Sequence, residues 1–306
     1  MSTATPALTS PALTLPRDSD TTVAATARKR LSRPWASVAA VVIAVLWTIP
    51  SFGLLISSVR PERAVMTSGW WTFFTNPQIT LDNYRAVLSS DSSAGLGAYF
   101  VNSFAIVIPS VVIPLVLAAL AAYAFAWIEF PFRNVLFVAV FALQIVPIQV
   151  TLIPLLSLYV DYGVTGFPTI WLSHSIFALP LAIFLLHNFM REIPKELIEA
   201  ARVDGAGHVK IFFSVLLPLL KPAIAAFGIF QFLWVWNDLL VALTFAGGGA
   251  DVAPLTVALA NLSGTRGTAW HLLSAGAFVS IIVPVVVFLS LQRYFVRGLL
   301  AGGLKG

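Results

Sequence analysis

The sequence predicts an all-α protein that crosses a lipid bilayer several times. Apolar residues make up 58% of the 306-residue chain and charged residues only 10%, where a soluble domain carries roughly a quarter charged. Mean hydropathy is +0.90. Six apolar stretches also reach the ~20 residues that a helix needs to cross a ~30 Å hydrocarbon core. A chain in lipid must satisfy its own backbone polar groups, so runs of this kind become helices.

Residues 1–27 are rich in Ala, Thr, Ser and Pro with few large apolar side chains, which predicts a disordered tail. Arg28, Lys29, Arg30 and Arg33 complete a basic segment, 1–33, ahead of a transmembrane region, 34–306. The first span is expected at Trp35 to Val59. It has no small-residue cleavage site at its far end, so it is expected to be retained rather than removed as a signal peptide. Arg60 to Tyr99 then forms the largest segment on the far side, and its Trp70, Trp71, Phe73 and Phe74 suit a membrane interface. Further spans are expected at Asn102 to Trp127, Val135 to Tyr159, Phe167 to Met190, Ala223 to Ala246 and Trp270 to Leu291. The short link at Asp161 to Gly163 makes the third and fourth antiparallel neighbours. Gly247-Gly248-Gly249, followed by the apolar run Val252 to Leu262, predicts a turn and an interfacial or partly re-entrant helix.

Prolines recur inside the spans at Pro109, Pro114, Pro147, Pro154, Pro180 and Pro284. They imply either kinked helices around a cavity or simple bending for packing, their freed carbonyls being satisfied by neighbours or water. Of the 18 Lys and Arg, 14 fall in the N-terminal tail, the Glu129 to Asn134 loop, the Arg191 to Lys221 loop and the C-terminus. Cytoplasmic loops retain positive charge, which predicts both termini and the Glu199 loop on the cytoplasmic side. The net charge of +5 and pI near 9.7 follow from this asymmetry rather than from a nucleic-acid surface.

The most distinctive stretch is the cytoplasmic run Glu199-Ala200-Ala201-Arg202-Val203-Asp204-Gly205-Ala206-Gly207, within a polar segment of about 191–222 that holds Pro218 and Pro222. Pro194 suits the first turn of a short helix, and Ala200, Ala201 and Ala206 leave its surface flat enough for close docking. Gly205 and Gly207 permit a sharp reversal. Glu199, Arg202 and Asp204 offer charge-assisted contacts. This run resembles the EAA loop of ABC importer permeases. Thr80-Leu81-Asp82-Asn83-Tyr84 is similar to the stretch that precedes the transport core in sugar-importer permeases, and Gln292 through Gly306 resembles the tail of the maltose-type permease. With Trp236-Asn237-Asp238-Leu239-Leu240, the resemblance covers nearly the whole chain from the first span onward.

The resemblance implies a six-helix ABC importer type I permease fold. It implies assembly with a second, larger permease, two ATPase subunits and an extracytoplasmic sugar-binding protein. The Glu199 helix would be the ATPase coupling element, and Gly302, Gly303 and Lys305 would reach the ATPases. No cofactor is expected on this chain, with ATP and Mg held by the ATPase subunits. The residues agree on that point, because no GxxxxGK[ST] loop occurs in the sequence. No HExxH, Gly-x-Ser-x-Gly or metal-spaced cluster occurs either, so an enzyme reading has no support. The absence of cysteine excludes thiol chemistry.

Asp238 is the only carboxylate inside an expected span, and ionisable groups there usually face a cavity or a partner helix. Gln231, Trp234 and Asp238 at i, i+3 and i+7 should share one helix face, with Asn237 beside them. Carboxylate, amide and indole groups together suit a sugar, whose hydroxyls need donors and acceptors while its CH face packs on aromatics. The same groups could instead bind one helix to another. Gln144 and Gln149 fall on different faces, and at least one is expected to place polar atoms between helices. His174, His187, His208 and His271 sit on separate elements. Two rival classes remain: a secondary transporter using Asp238 as a proton or cation site, and a structural scaffold. The expected solute is a sugar, a di- or oligosaccharide first, with sugar phosphates, polyols and glycerol-phosphate-type molecules left open.

Overall fold

The computed structural model describes residues 34–89, 95–246, 251–263 and 269–303. The tail 1–33, the Gly247-Gly248-Gly249 turn and Lys305 lie outside the described residues. Among the described residues every regular element is a helix. α1 (Pro34–Ser58) forms a unit of its own as far as Gly53. Its apolar side chains, Val38, Val41, Ile43 and Trp47 among them, are exposed, which fits a membrane span.

The second unit is Leu54–Gly306. It begins with a polar knot at the end of α1. Arg60 is 3% exposed, and its guanidinium donates to Gly69 O, Ser68 Oγ and Thr72 Oγ1 at 2.8 to 3.0 Å. It thereby ties together α2 (Glu62–Thr67) and a 3-10 turn at Trp70–Phe74. The buried amide of Asn83, on α3 (Asp82–Leu88), donates to the carbonyls of Ser58 and Arg60 at 2.8 Å. The Thr80 N–H donates to Val59 O at 2.7 Å. The Thr80 to Tyr84 stretch thus pins the chain where α1 ends.

The remaining helices are α4 (Gly97–Trp127), α5 (Arg133–Ala142), α6 (Ile148–Asp161), α7 (Phe167–Glu192), α8 (Lys195–Val203), α9 (His208–Trp236), α10 (Leu240–Phe245), α11 (Leu255–Ser263) and α12 (Trp270–Gly303). Two larger apolar cores organise them among the described residues, beside a small cluster of Ala242, Ala253 and Val257. One joins Ala118, Ala119 and Ala122 of α4, Ala182, Leu186 and Met190 of α7, Ile198 of α8, and Ile211, Leu216 and Leu220 of α9. The alanines let the backbones of α4 and α7 approach closely. The other joins Ile106 and Val107 of α4, Ile170 of α7, Trp236 of α9, Leu255 of α11 and Ala275 of α12. α11 packs as a short helix too brief to cross a bilayer.

Among the described residues five helices, α1, α4, α7, α9 and α12, are long and apolar enough to span. The third expected span, Val135 to Tyr159, is broken. α5 and α6 meet at 102° across a 3-10 turn, Leu143–Ile145. Pro147 explains the break: it forces Val146 into extended backbone at ψ 121 and then starts α6 as its N-cap. Counting the broken pair as one span gives six. The fifth span also differs. It runs from His208 to Trp236 through a π-turn at Ile211–Leu216, so much of the polar loop 191–222 is already span, and the chain breaks at Asn237 to Leu239 where the sequence predicted unbroken helix.

Three of the prolines are matched to specific donors. A proline at position i removes the N–H that would bond the carbonyl at i−4. Pro109 frees Ala105 O, which accepts from Trp171 Nε1 at 2.9 Å. Pro114 frees Ser110 O, which accepts from the Gln231 amide at 3.3 Å. Pro284 frees Ser280 O, which accepts from Trp236 Nε1 at 3.3 Å. Each donor comes from a neighbouring helix, so three backbone defects become three interhelical ties. All three prolines lie inside continuous helices, whereas the break of more than 40° between paired spanning segments among the described residues lies at Pro147.

Candidate functional site

The α8 segment is built to stand on the bundle and face outward. Pro194 is its N-cap at φ −56 and ψ 133, one residue before the helix proper. Ile198 is 2% exposed and belongs to the apolar core with Met190 and Ile211. Glu199, Ala200, Arg202 and Asp204 are exposed, and Ala201 is half-buried against the core. The helix closes with two bonds, Gly205 N–H to Arg202 O at 3.0 Å and Ala206 N–H to Ala201 O at 2.9 Å, the pairing of a Schellman end. Gly205 occupies the left-handed region at φ +78, which a residue without Cβ enters at little cost. Gly207 has an ordinary φ of −75 and caps α9, so only one of the two glycines expected to make the reversal depends on its lack of a side chain. The phenol of Tyr123 and Nδ1 of His208 lie 2.7 Å apart, which fixes the start of α9 to α4.

The expected face of Gln231, Trp234 and Asp238 does not form as a helix stripe. α9 ends at Trp236, so Asp238 lies beyond it in the break. Its carboxylate accepts from the Ala242 N–H at 3.0 Å and the Val241 N–H at 3.4 Å, satisfying orphan donors at the start of α10. Its carbonyl accepts from Thr256 Oγ1 at 2.6 Å, which ties α11 to the break. The same carboxylate reaches across to α7, with Oδ2 3.8 Å from Nε2 of His174. Asn237 is exposed and donates to Leu233 O in its own helix. Gln231 is 4% exposed and committed to the Ser110 carbonyl.

A small recess nonetheless gathers part of this set. Gln144, His174, Phe177, Phe230, Gln231 and Trp234 line it, and the His174 ring leads from it to Asp238. Gln144 arrives because the α5–α6 break turns it toward α7; it is exposed, as is Gln149, so neither places a buried polar group between helices. His174, 3% exposed, is the member that sequence reasoning missed. Its signal was a histidine flanked by Ser173 and Ser175 on an apolar helix, and its partner could not be found while Asp238 was read as helical. Gly302 and Gly303 fall in the last turn of α12.

Comparison with known proteins converges on one family. The model for the binding-protein-dependent transport system inner membrane component matches residues 115–300. The chain is 55% identical to the osmoprotective compounds uptake permease protein GgtD of Synechocystis sp., covering 88% of this chain and 91% of the relative. It is 51% identical to the alpha-glucoside transport system permease protein AglG of Rhizobium meliloti, covering 82% and 67%. Its fold matches a chain of a bacterial ABC transporter involved in importing the acidic polysaccharide alginate, with a TM-score of 0.69, 23% identity, and coverage of 87% and 98%. The chain belongs to the family of binding-protein-dependent transport system inner membrane components: it is a permease subunit of an ABC importer, with ATP hydrolysis left to separate ATPase subunits.

Proposed function

We propose that this permease forms one half of the pathway for a neutral sugar or glycoside. The observation that carries the reading is the composition of the recess. Gln144, Gln231 and His174 offer amide and imidazole groups, Trp234 and Phe230 offer flat apolar faces, and Asp238 stands behind them. Amides pair with hydroxyls in both directions and aromatic faces pack on sugar CH groups. No Lys or Arg lines the recess among the described residues, and its one neighbouring charge is acidic, so a phosphorylated solute is a poor match. The alpha-glucoside permease of Rhizobium meliloti, half identical in sequence, supports the same class.

A second, larger permease would complete the pathway, and an extracytoplasmic binding protein would deliver the solute. Two ATPase subunits holding ATP and Mg would dock on α8. Glu199, Ala200, Ala201, Arg202, Asp204, Gly205, Ala206 and Gly207 make up this docking surface, with Ile198 passing its movement to α7 and α9. Gly302, Gly303 and Lys305 would approach the ATPases from the C-terminus. The bias of Lys and Arg puts both termini and α8 on the cytoplasmic side. Family membership leaves no place for the secondary-transporter and scaffold alternatives.

Reconstitution tests this. With its partners, the chain should accumulate a neutral α-glucoside only when ATP is supplied on the α8 side, and collapsing ion gradients should leave uptake intact. Alone it should bind no ATP and transport nothing. Uptake by the isolated chain on a proton or sodium gradient, or preference for a sugar phosphate, would overturn the proposal.

A further inference from the structure

A second recess, about 630 Å³, lies beside α8 and is unrelated to the solute path. Its walls come from the end of α4, the start of α5, the end of α7 and α8. Four cationic side chains line it, Arg133, Arg191, Lys195 and Arg202, against two carboxylates, Glu129 and Glu199. Among the described residues none of these six joins an ion pair. Arg133 spends one hydrogen bond on Ile128 O at 3.2 Å.

Two further lining residues carry buried nitrogens without a hydrogen-bond partner, Trp127 Nε1 and His187 Nδ1. His187 is 7% exposed, with its ring 4.2 Å from that of Phe137. A buried polar atom left unpaired calls for an explanation, and an indole N–H can only donate. The recess therefore combines excess positive charge with a donor lacking its acceptor. A phosphate group supplies both the charge and the oxygens.

The surroundings choose the source of that phosphate. α5 turns Val135, Leu136 and Val138 outward, at 65%, 48% and 64% exposure, and Val138 also lines the recess. Phe125 and Phe137 continue the apolar wall inside. A ligand seated here would place its anionic part among the arginines and an apolar part along α5. We propose that this recess binds the headgroup of an anionic phospholipid whose acyl chains lie on the exposed face of α5. Basic residues at a cytoplasmic membrane surface attract such lipids. The site rests on the cytoplasmic placement of α8 given above; it shares Glu199 and Arg202 with the proposed docking surface, so its test is placed on Arg133, Arg191 and Trp127, which that surface does not use.

The test is lipid binding by the assembled complex in detergent, titrated with phosphatidylglycerol or phosphatidylcholine and read by native mass spectrometry. The wild type should retain phosphatidylglycerol selectively. The double variant R133Q/R191Q should bind it about 25-fold more weakly, fivefold for each charge, with phosphatidylcholine unaffected. W127F, which removes one unpaired donor and keeps the aromatic volume, should weaken it severalfold and carries the test if the double variant does not fold. Equal retention by the wild type and both variants would overturn the site. Displacement by glycerol 3-phosphate at concentrations matching the lipid would instead assign the recess to a soluble phosphate ester, overturning the lipid assignment. Failure of the wild-type complex to take up a neutral α-glucoside, with phosphatidylglycerol still selectively retained, would refute the proposed function and leave this site standing.

Discussion

The tie between Gln231 and Ser110 allows a test in which one substitution should cancel the need for another. Ser110 O is orphaned because Pro114 has no N–H, and the Gln231 amide fills the vacancy at 3.3 Å. Both ends are buried, with Gln231 4% exposed and Pro114 under 2%. Leaving a buried carbonyl unpaired costs about 1–3 kcal/mol, whereas measured interhelical bonds in membranes average about 0.6 and reach about 1.7 kcal/mol. A bond of this length belongs toward the lower part, so Gln231→Met should destabilise the permease by about 1 kcal/mol, roughly fivefold in its unfolding equilibrium. In a Pro114→Ala background the helix can close its own bond from residue 114 to Ser110. Gln231→Met should then cost almost nothing, leaving a coupling energy of about 1 kcal/mol between positions 117 residues apart in sequence. The cycle can be read from reversible unfolding in mixed micelles, where the small cavity left by Pro114→Ala is common to both corners and drops out. Equal costs for Gln231→Met in both backgrounds would refute the assignment of this amide to the proline's carbonyl.

The same logic applies twice more: Trp171→Phe and Trp236→Phe should each lose about 1 kcal/mol, and each loss should vanish with Pro109→Ala and Pro284→Ala respectively; unfolding cycles check both. At the α8 turn, Gly205→Ala should cost about 1–2 kcal/mol through backbone strain alone, since a Cβ there meets nothing within 4 Å, while Gly207→Ala should be close to neutral in thermal melting. Gly205→Leu should leave insertion and permease pairing intact but abolish solute-stimulated ATP hydrolysis; normal uptake in an assembled complex would remove α8 from the coupling role. Asp238→Asn keeps an oxygen for the α10 amides and should fold with a loss under about 1 kcal/mol, whereas Asp238→Ala forfeits the cap at about 0.5–2 kcal/mol. If transport and stability both survive Asp238→Ala, neither a pathway nor a structural role remains for this carboxylate.

What the sequence made legible was whatever one helix decides for itself. The spans at α1, α4, α7 and α12 follow from apolar length, and the short α8 followed by a glycine turn follows from its polar composition and Gly205. The errors arose where a proline or another helix decided. Pro147 reads in sequence like the other span prolines, yet it breaks its helix, whereas Pro109, Pro114 and Pro284 stay within theirs and have orphan carbonyls met by Trp171, Gln231 and Trp236. The tie from Gln231 to Ser110 was hidden for the same reason: an amide on an apolar helix has no visible partner until α4 is placed beside it. Asp238 was set on a helix face because nothing local forbids helix at Asn237, and the end of α9 becomes visible only when the carboxylate is found holding α10.

The placement of ties and breaks also bears on how a push on α8 would travel. Ile198 enters the core that holds Met190 of α7 and Ile211, Leu216 and Leu220 of α9, so α8 cannot shift without moving the adjoining ends of both helices. Gln231 then ties α9 to the middle of α4, and Trp171 ties the far end of α7 to α4. These bonds make α4, α7 and α9 a single packed body. The α-helices are interrupted at Leu143 to Pro147 and at Asn237 to Leu239, and both breaks flank the recess that holds His174. Displacement delivered at α8 would therefore pass through the packed body with little bending and be taken up at the two breaks, which is where Gln144 and Asp238 stand. On the proposed solute path, Gln144 and Asp238 would need no movement of their own, because they stand at the joints of a body that α8 would drive from its other end.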